Sequence, residues 1–151
     1  MSKEKLYVAD VSRGKDSTAM LEAIRLLGLP LDAIVAVDIW FDDETPGELP
    51  YIVDFKNEWD RKCFERYGIP VTRLRTTWTY KDYLLREVKK GKVTGFPSRK
   101  CNWCNKLKVS ALSSKNILES LGIENRTIVH YVGIAADEQE RIKRHGVKKI
   151  S

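Results

Sequence analysis

Apolar and polar residues alternate along the chain in two distinct rhythms. Short apolar runs near residues 5–11, 33–40, 71–76 and 127–134 read as strands. Between them the apolar positions return at helical spacing. Met20, Ala23, Ile24 and Leu27 share one face, with Gly28 placed to end that helix; Ile52, Phe55, Trp59 and Cys63 repeat in a second, closed by Gly68. A third helix is predicted over about 80–90, before Gly91, and a fourth from about 104 to 121, before Gly122. This alternation predicts an α/β fold, a three-layer α/β/α sandwich around a mostly parallel twisted sheet. Right-handed crossovers then bring the C-terminal ends of the strands to one rim, where ligands bind in such folds.

The length of 151 residues suits one domain, 1–151, and no interdomain linker or repeat interrupts it. A composition of 42% hydrophobic and 32% charged residues is that of a folded rather than a disordered chain. No apolar stretch approaches the ~20 residues that span a bilayer. Met1 to Lys5 lead directly into a strand without a signal-peptide core. The expectation is a cytoplasmic protein without membrane attachment. Three cysteines do not make a disulfide scaffold.

Charge narrows the partners. The net charge is +6, and residues 86–108 carry eight Lys/Arg against the single acid Glu87, so the rest of the chain is nearly neutral. A nucleotide or a nucleic acid suits such a segment, and so does a plain solvated loop.

The strongest chemical signal is Ser12-Arg13-Gly14-Lys15-Asp16-Ser17, set between the first strand and the first helix. Gly14 lets backbone N–H groups approach a ligand, Ser17 can cap the helix start, and the positive end of the helix dipole favours an anion. Lys15 adds a mobile charge, and Asp16 can hold a cation that bridges phosphate oxygens. The reading is a pyrophosphate cradle, distinct from a Walker loop because that spacing is absent. The plain alternative is a turn, for which these residue types are ordinary material.

Other candidates lie further along. Val37 and Asp38 end the second strand on the same rim, where an acid can bind ribose hydroxyls or a metal, or simply end a strand. Cys101 and Cys104 form a Cys-x-x-Cys pair, compatible with a redox dithiol, half a zinc site or part of an iron–sulfur site. Cys63 falls on an apolar helix face and reads as core, and His130, within a strand, as structural. Asp137 and Glu138 suit the first turn of a helix or, for one of them, Mg²⁺, and Arg141 can pair with phosphate or sulfate.

Ser12 to Ser17 resemble the Ser-Gly-Gly-Lys-Asp-Ser loop of the adenine nucleotide alpha hydrolases, or PP-loop ATP pyrophosphatases. Trp103-Cys104-Asn105-Lys106-Leu107-Lys108 resembles the Trp-Cys-Thr-x-x-Leu-Lys stretch of the phosphoadenosine phosphosulfate (PAPS) reductase-like group. Gly133-Ile134-Ala135 to Arg141 is similar to that group's Gly-Ile-Arg-x-x-Glu-Ser/Pro-x-Arg segment. The resemblance covers nearly the whole chain and implies a Rossmann-like nucleotide domain. It also implies ATP with Mg²⁺, or PAPS or adenylyl sulfate, as substrate, with attack at the α-phosphate and release of pyrophosphate. On it, Ser12 to Ser17, Val37, Asp38, Gly133 and Arg141 bind nucleotide, Lys15, Asp16, Cys104 and Lys108 serve catalysis, and Asp16 and Asp137 hold the metal. Sulfonucleotide reduction by a cysteine, adenylation of RNA and a silent nucleotide-binding module are the alternatives. RNA, a sulfur-carrier protein or a second copy of the chain are compatible partners.

The chain departs from the pattern in places. Arg13 stands where the family has glycine: a positive φ there would strain an arginine, and a negative one would free it for a phosphate contact. Ala135 replaces a frequent arginine. The additional cysteine pair of the iron–sulfur reductases and the Glu-Cys-Gly-Leu-His-like tail of the thioredoxin-dependent ones are absent from this sequence. Family members usually continue beyond this length, so the chain is either short or a piece.

Overall fold

The computed structural model describes residues 4–91, 103–135, 138, 140 and 143. Four strands, β1 (Lys5–Asp10), β2 (Ala33–Asp38), β3 (Val71–Arg75) and β4 (Thr127–Val132), form one parallel sheet in the order β3-β2-β1-β4. β1 and β2 are the central strands. Leu6, Val8, Ala9 and the run from Ala33 to Ala36 are all buried, as expected for strands covered on both faces.

Helices α1 (Lys15–Leu26), α2 (Pro50–Tyr67), α3 (Tyr80–Lys89), α4 (Trp103–Ala111) and α5 (Ser114–Leu121) complete the described elements. On one face Leu21 and Ile24 of α1 and Cys63 of α2 pack on Ala9, Val11, Ile34 and Ala36. On the other, Ile117 of α5 joins Leu6, Val8, Ala33, Val35 and Leu74, with Leu112, Leu118 and Leu121 around them. The architecture is therefore the expected Rossmann-like three-layer α/β/α sandwich, with Cys63 in its core.

Two boundaries differ from the sequence reading. The single helix expected over 104–121 is two helices, because Ser113 adopts extended backbone and its Oγ accepts the Asn116 N–H at 3.3 Å, starting α5 afresh. The second strand ends at Asp38, and the chain beyond it bends so that Trp40 bridges Pro46. Gly68 closes α2 in the left-handed region at φ 70°. Among the described residues no helix is long and apolar enough to cross a membrane.

The chain runs outward from β1 through β2 to β3, then returns to the far side of β1 as β4. The strand order thus reverses between β1 and β4, and the crevice beyond their C-terminal ends is where open parallel sheets take ligands.

Candidate functional site

The loop that leaves β1 sits at this reversal. Val11 N–H still bonds the Val35 carbonyl at 2.9 Å, after which Ser12 and Arg13 turn the chain into α1. The N-cap is Gly14, in extended backbone, with no side chain capping the helix. This corrects the expectation for Ser17. That residue lies inside the first turn, is buried, and its hydroxyl donates back to the Gly14 carbonyl at 3.0 Å. Thr18 donates to the same carbonyl through Oγ1 at 2.9 Å and N–H at 3.1 Å. Three donors therefore hold the Gly14 oxygen toward α1. Among the described residues the N–H groups of Lys15, Asp16 and Ser17 have no hydrogen-bond partner. Unbonded N–H groups at the start of a helix form an anion site.

Gly133, just past β4, fits against this turn with almost no clearance. A Cβ on it would lie 2.7 Å from the Asp16 carbonyl oxygen and 3.1 Å from the Ser17 nitrogen. Only glycine admits this approach. Ser12, Gly14, Lys15 and Asp16 are exposed, and among the described residues neither Lys15 nor Asp16 forms an ion pair.

Arg13 behaves otherwise. Its φ is 63°, the strained alternative, at a cost of about 1–2 kcal/mol for a non-glycine residue. Its side chain is only 2% exposed and turns inward. Nε and Nη2 donate to both Asp60 oxygens at 2.7 and 3.0 Å, and Nη1 to Asp38 at 3.0 Å. Burial disfavours the guanidinium charge, but the Asp60 hydrogen bonds and the Asp38 charge outweigh it and raise its pKa. Asp38 is correspondingly held: Lys56 Nζ donates to it at 3.0 Å, and Arg73 lies 3.7 Å away. Burial opposes its ionisation, yet Arg13 and Lys56 keep its carboxyl below the usual range. Both residues expected to face the nucleotide thus point their charges into one network, which Lys56 extends to Glu48. Val37 is half-buried beside the second core cluster.

Cys104 lies on α4, which packs against β2. Its Sγ is 3.5 Å from the Tyr80 hydroxyl, and burial followed by this contact pushes the Tyr80 pKa up. Tyr80 in turn packs on Gly47, whose Cβ would meet the ring at 2.8 Å. Lys108 is half-buried in the last turn of α4 and has no ion pair among the described residues. Cys101, Asp137 and Arg141 lie outside the described residues.

Three features escaped the sequence reading. Asp60 is one; it shares the inward face of α2 with Lys56, an i, i+4 spacing that was visible but carried no apolar signal. Tyr80 is another. The third is a pair between β4 and β1, where His130 Nδ1 lies 2.8 Å from Asp10 Oδ2 while the buried Asp10 Oδ1 has no hydrogen-bond partner among the described residues. The pairing agrees with the structural reading of His130.

No protein-family model matches the chain, and no curated protein matches it.

Proposed function

We propose that the chain is an adenine-nucleotide enzyme of the PP-loop type, taking ATP or a sulfonucleotide at the loop of residues 12–17. The observation that carries this is the set of three N–H groups at the start of α1 that have no hydrogen-bond partner among the described residues, flanked by Lys15 and placed at the strand-order reversal. The resemblance of the loop, of the Cys104–Lys108 stretch and of the Gly133 segment to PAPS reductase-like proteins supports the same reading.

With ATP, an acceptor oxygen attacks the α-phosphorus. The bond from that phosphorus to the bridging oxygen breaks, AMP remains on the acceptor, and pyrophosphate leaves with the electron pair. The loop N–H groups and Lys15 stabilise the charge that grows on pyrophosphate, so the protein acts by positioning and electrostatics. Asp16, exposed and without an ion pair among the described residues, would be the residue to hold a Mg²⁺ ion, which would supply further charge neutralisation. Lys108 is the candidate for charge on the transferred group.

Incubation of the protein with ATP and, separately, with PAPS, each with Mg²⁺, tests the proposal. Pyrophosphate from ATP supports adenylyl transfer, and sulfite from PAPS with a thiol donor supports the reductase. Neither product, with tight ATP binding, indicates a silent module.

A second reading, an RNA acceptor, has its own support on the rim. The Arg75 guanidinium lies 4.1 Å from the centre of the Trp40 ring, and that of Arg86 5.1 Å from Trp78, which is exposed. A half-buried and an exposed indole, Trp40 and Trp78, each carrying an exposed guanidinium over its ring, suit stacked, single-stranded bases. RNA affinity that falls steeply with added salt supports it, and none at ~50 mM salt counts against it.

A further inference from the structure

We infer that Asp60 is a positioning residue for the phosphate loop, acting through Arg13 as a latch that holds the loop in its anion-ready shape. This rests on the proposed nucleotide site and extends it to a residue on α2, far from the loop in sequence.

The loop holds an internal conflict. Residue 13 sits at φ 63°, where an arginine is strained and a glycine is not. Left alone, an arginine there would favour relaxation of the turn. The N–H groups of residues 15–17 would then lose their common direction. What opposes relaxation is the far end of the side chain. Two parallel hydrogen bonds to Asp60 and one to Asp38 fix the guanidinium plane, and a planar fork held at three points fixes its own backbone.

Asp60 is itself fixed. Arg73 Nε donates to Asp60 Oδ2 at 2.7 Å, and Arg73 Nη2 also donates to Asn57 at 2.9 Å. The latch is thus anchored on β3 as well as on α2. Removing Arg13 would leave neither acid bare, since Asp60 keeps Arg73 and Asp38 keeps Lys56. A chain with glycine at 13 has no need of the latch. Asp60 matters to the loop because residue 13 is an arginine.

The test combines three variants with two readouts, ATP affinity and amide hydrogen exchange of the loop, both on folded protein well below Tm. Asp60→Asn is expected to weaken ATP binding at least about tenfold, the scale of a lost charged hydrogen bond. It is also expected to speed exchange of the N–H groups of residues 14–18. Arg13→Gly combined with Asp60→Asn is expected to recover most of that affinity, because glycine accepts the turn unaided. Arg13→Lys keeps charge and strain but cannot grip both Asp60 oxygens; it should fall with Asp60→Asn, and it replaces that variant should the latter not fold.

A residue that served stability alone would lower Tm and leave the affinity of the folded protein unchanged. Wild-type affinity and wild-type loop exchange in Asp60→Asn overturn the inference, as does a loss that the double variant fails to recover. If the wild-type protein binds no ATP, the nucleotide reading fails by itself, and loop exchange still decides the latch: faster exchange supports it, and unchanged exchange overturns it.

Discussion

Gly133 touches the backbone of Asp16 so closely that no side chain fits between them. The contact joins the exit of β4 to the first turn of α1, two segments separated by most of the chain, and it sets where the loop's N–H groups sit relative to the crevice. The atoms a new Cβ would meet are main-chain atoms, which cannot swing aside. Gly133→Ala is therefore expected to destabilise the fold by about 1–3 kcal/mol, the usual cost of overpacking, and to weaken ATP binding as α1 shifts. Denaturant unfolding and calorimetric titration check both halves.

Lys15 is exposed and unpaired among the described residues, so its removal should leave the fold intact. Lys15→Ala is expected to change stability by no more than about 0.5 kcal/mol while lowering nucleotide turnover about a hundredfold or more. Unchanged turnover would remove Lys15 from the chemistry.

The Asp10–His130 pair makes a prediction about pH. The hydrogen bond to Asp10 raises the His130 pKa above its ordinary value, against the effect of burial. A raised folded-state pKa means that the folded protein holds the proton more tightly than the unfolded chain. The pair's stabilisation is thus complete below about pH 6.5, the unfolded value, and is lost as pH rises through the folded one. Stability measured across that window should fall with rising pH. His130→Gln should flatten the slope.

The cysteines should differ in reactivity. Burial, with the Asp60 charge adding to it, pushes the Cys63 thiol up to about 11. Alkylation of native protein at pH 8 is expected to leave Cys63 unmodified and to reach it only after denaturation, as read by mass spectrometry of peptides. Labelling of native Cys63 at the rate seen in denaturant would contradict its place in the core.

Much of the fold was legible because period and burial agree. The apolar runs of β1 and β2 have both faces covered, and the faces of α1 and α2 meet the sheet as their spacing says. The break at Ser113 was not legible, since Leu107, Ala111 and Ile117 all bury and the apolar pattern continues across the cap. At the site, the loop's place on the rim followed from strand–turn–helix order. The inward turn of Arg13 did not. It depends on two acids, one at the end of β2 and one midway along α2, that come together only in the folded chain. Charged side chains on the inward face of a helix carry no periodic signal of their own, so nothing in the sequence singles out Asp60 and Lys56.

On the proposed function, the backbone N–H groups of Lys15, Asp16 and Ser17 receive the phosphates of an adenine nucleotide. Amide NMR during titration with ATP and Mg²⁺ tests it most directly. The largest shifts should fall on residues 14–18 and Gly133, saturate together, and shrink in Asp60→Asn. Saturable shifts confined to another part of the sheet, or none at millimolar ATP, would contradict it.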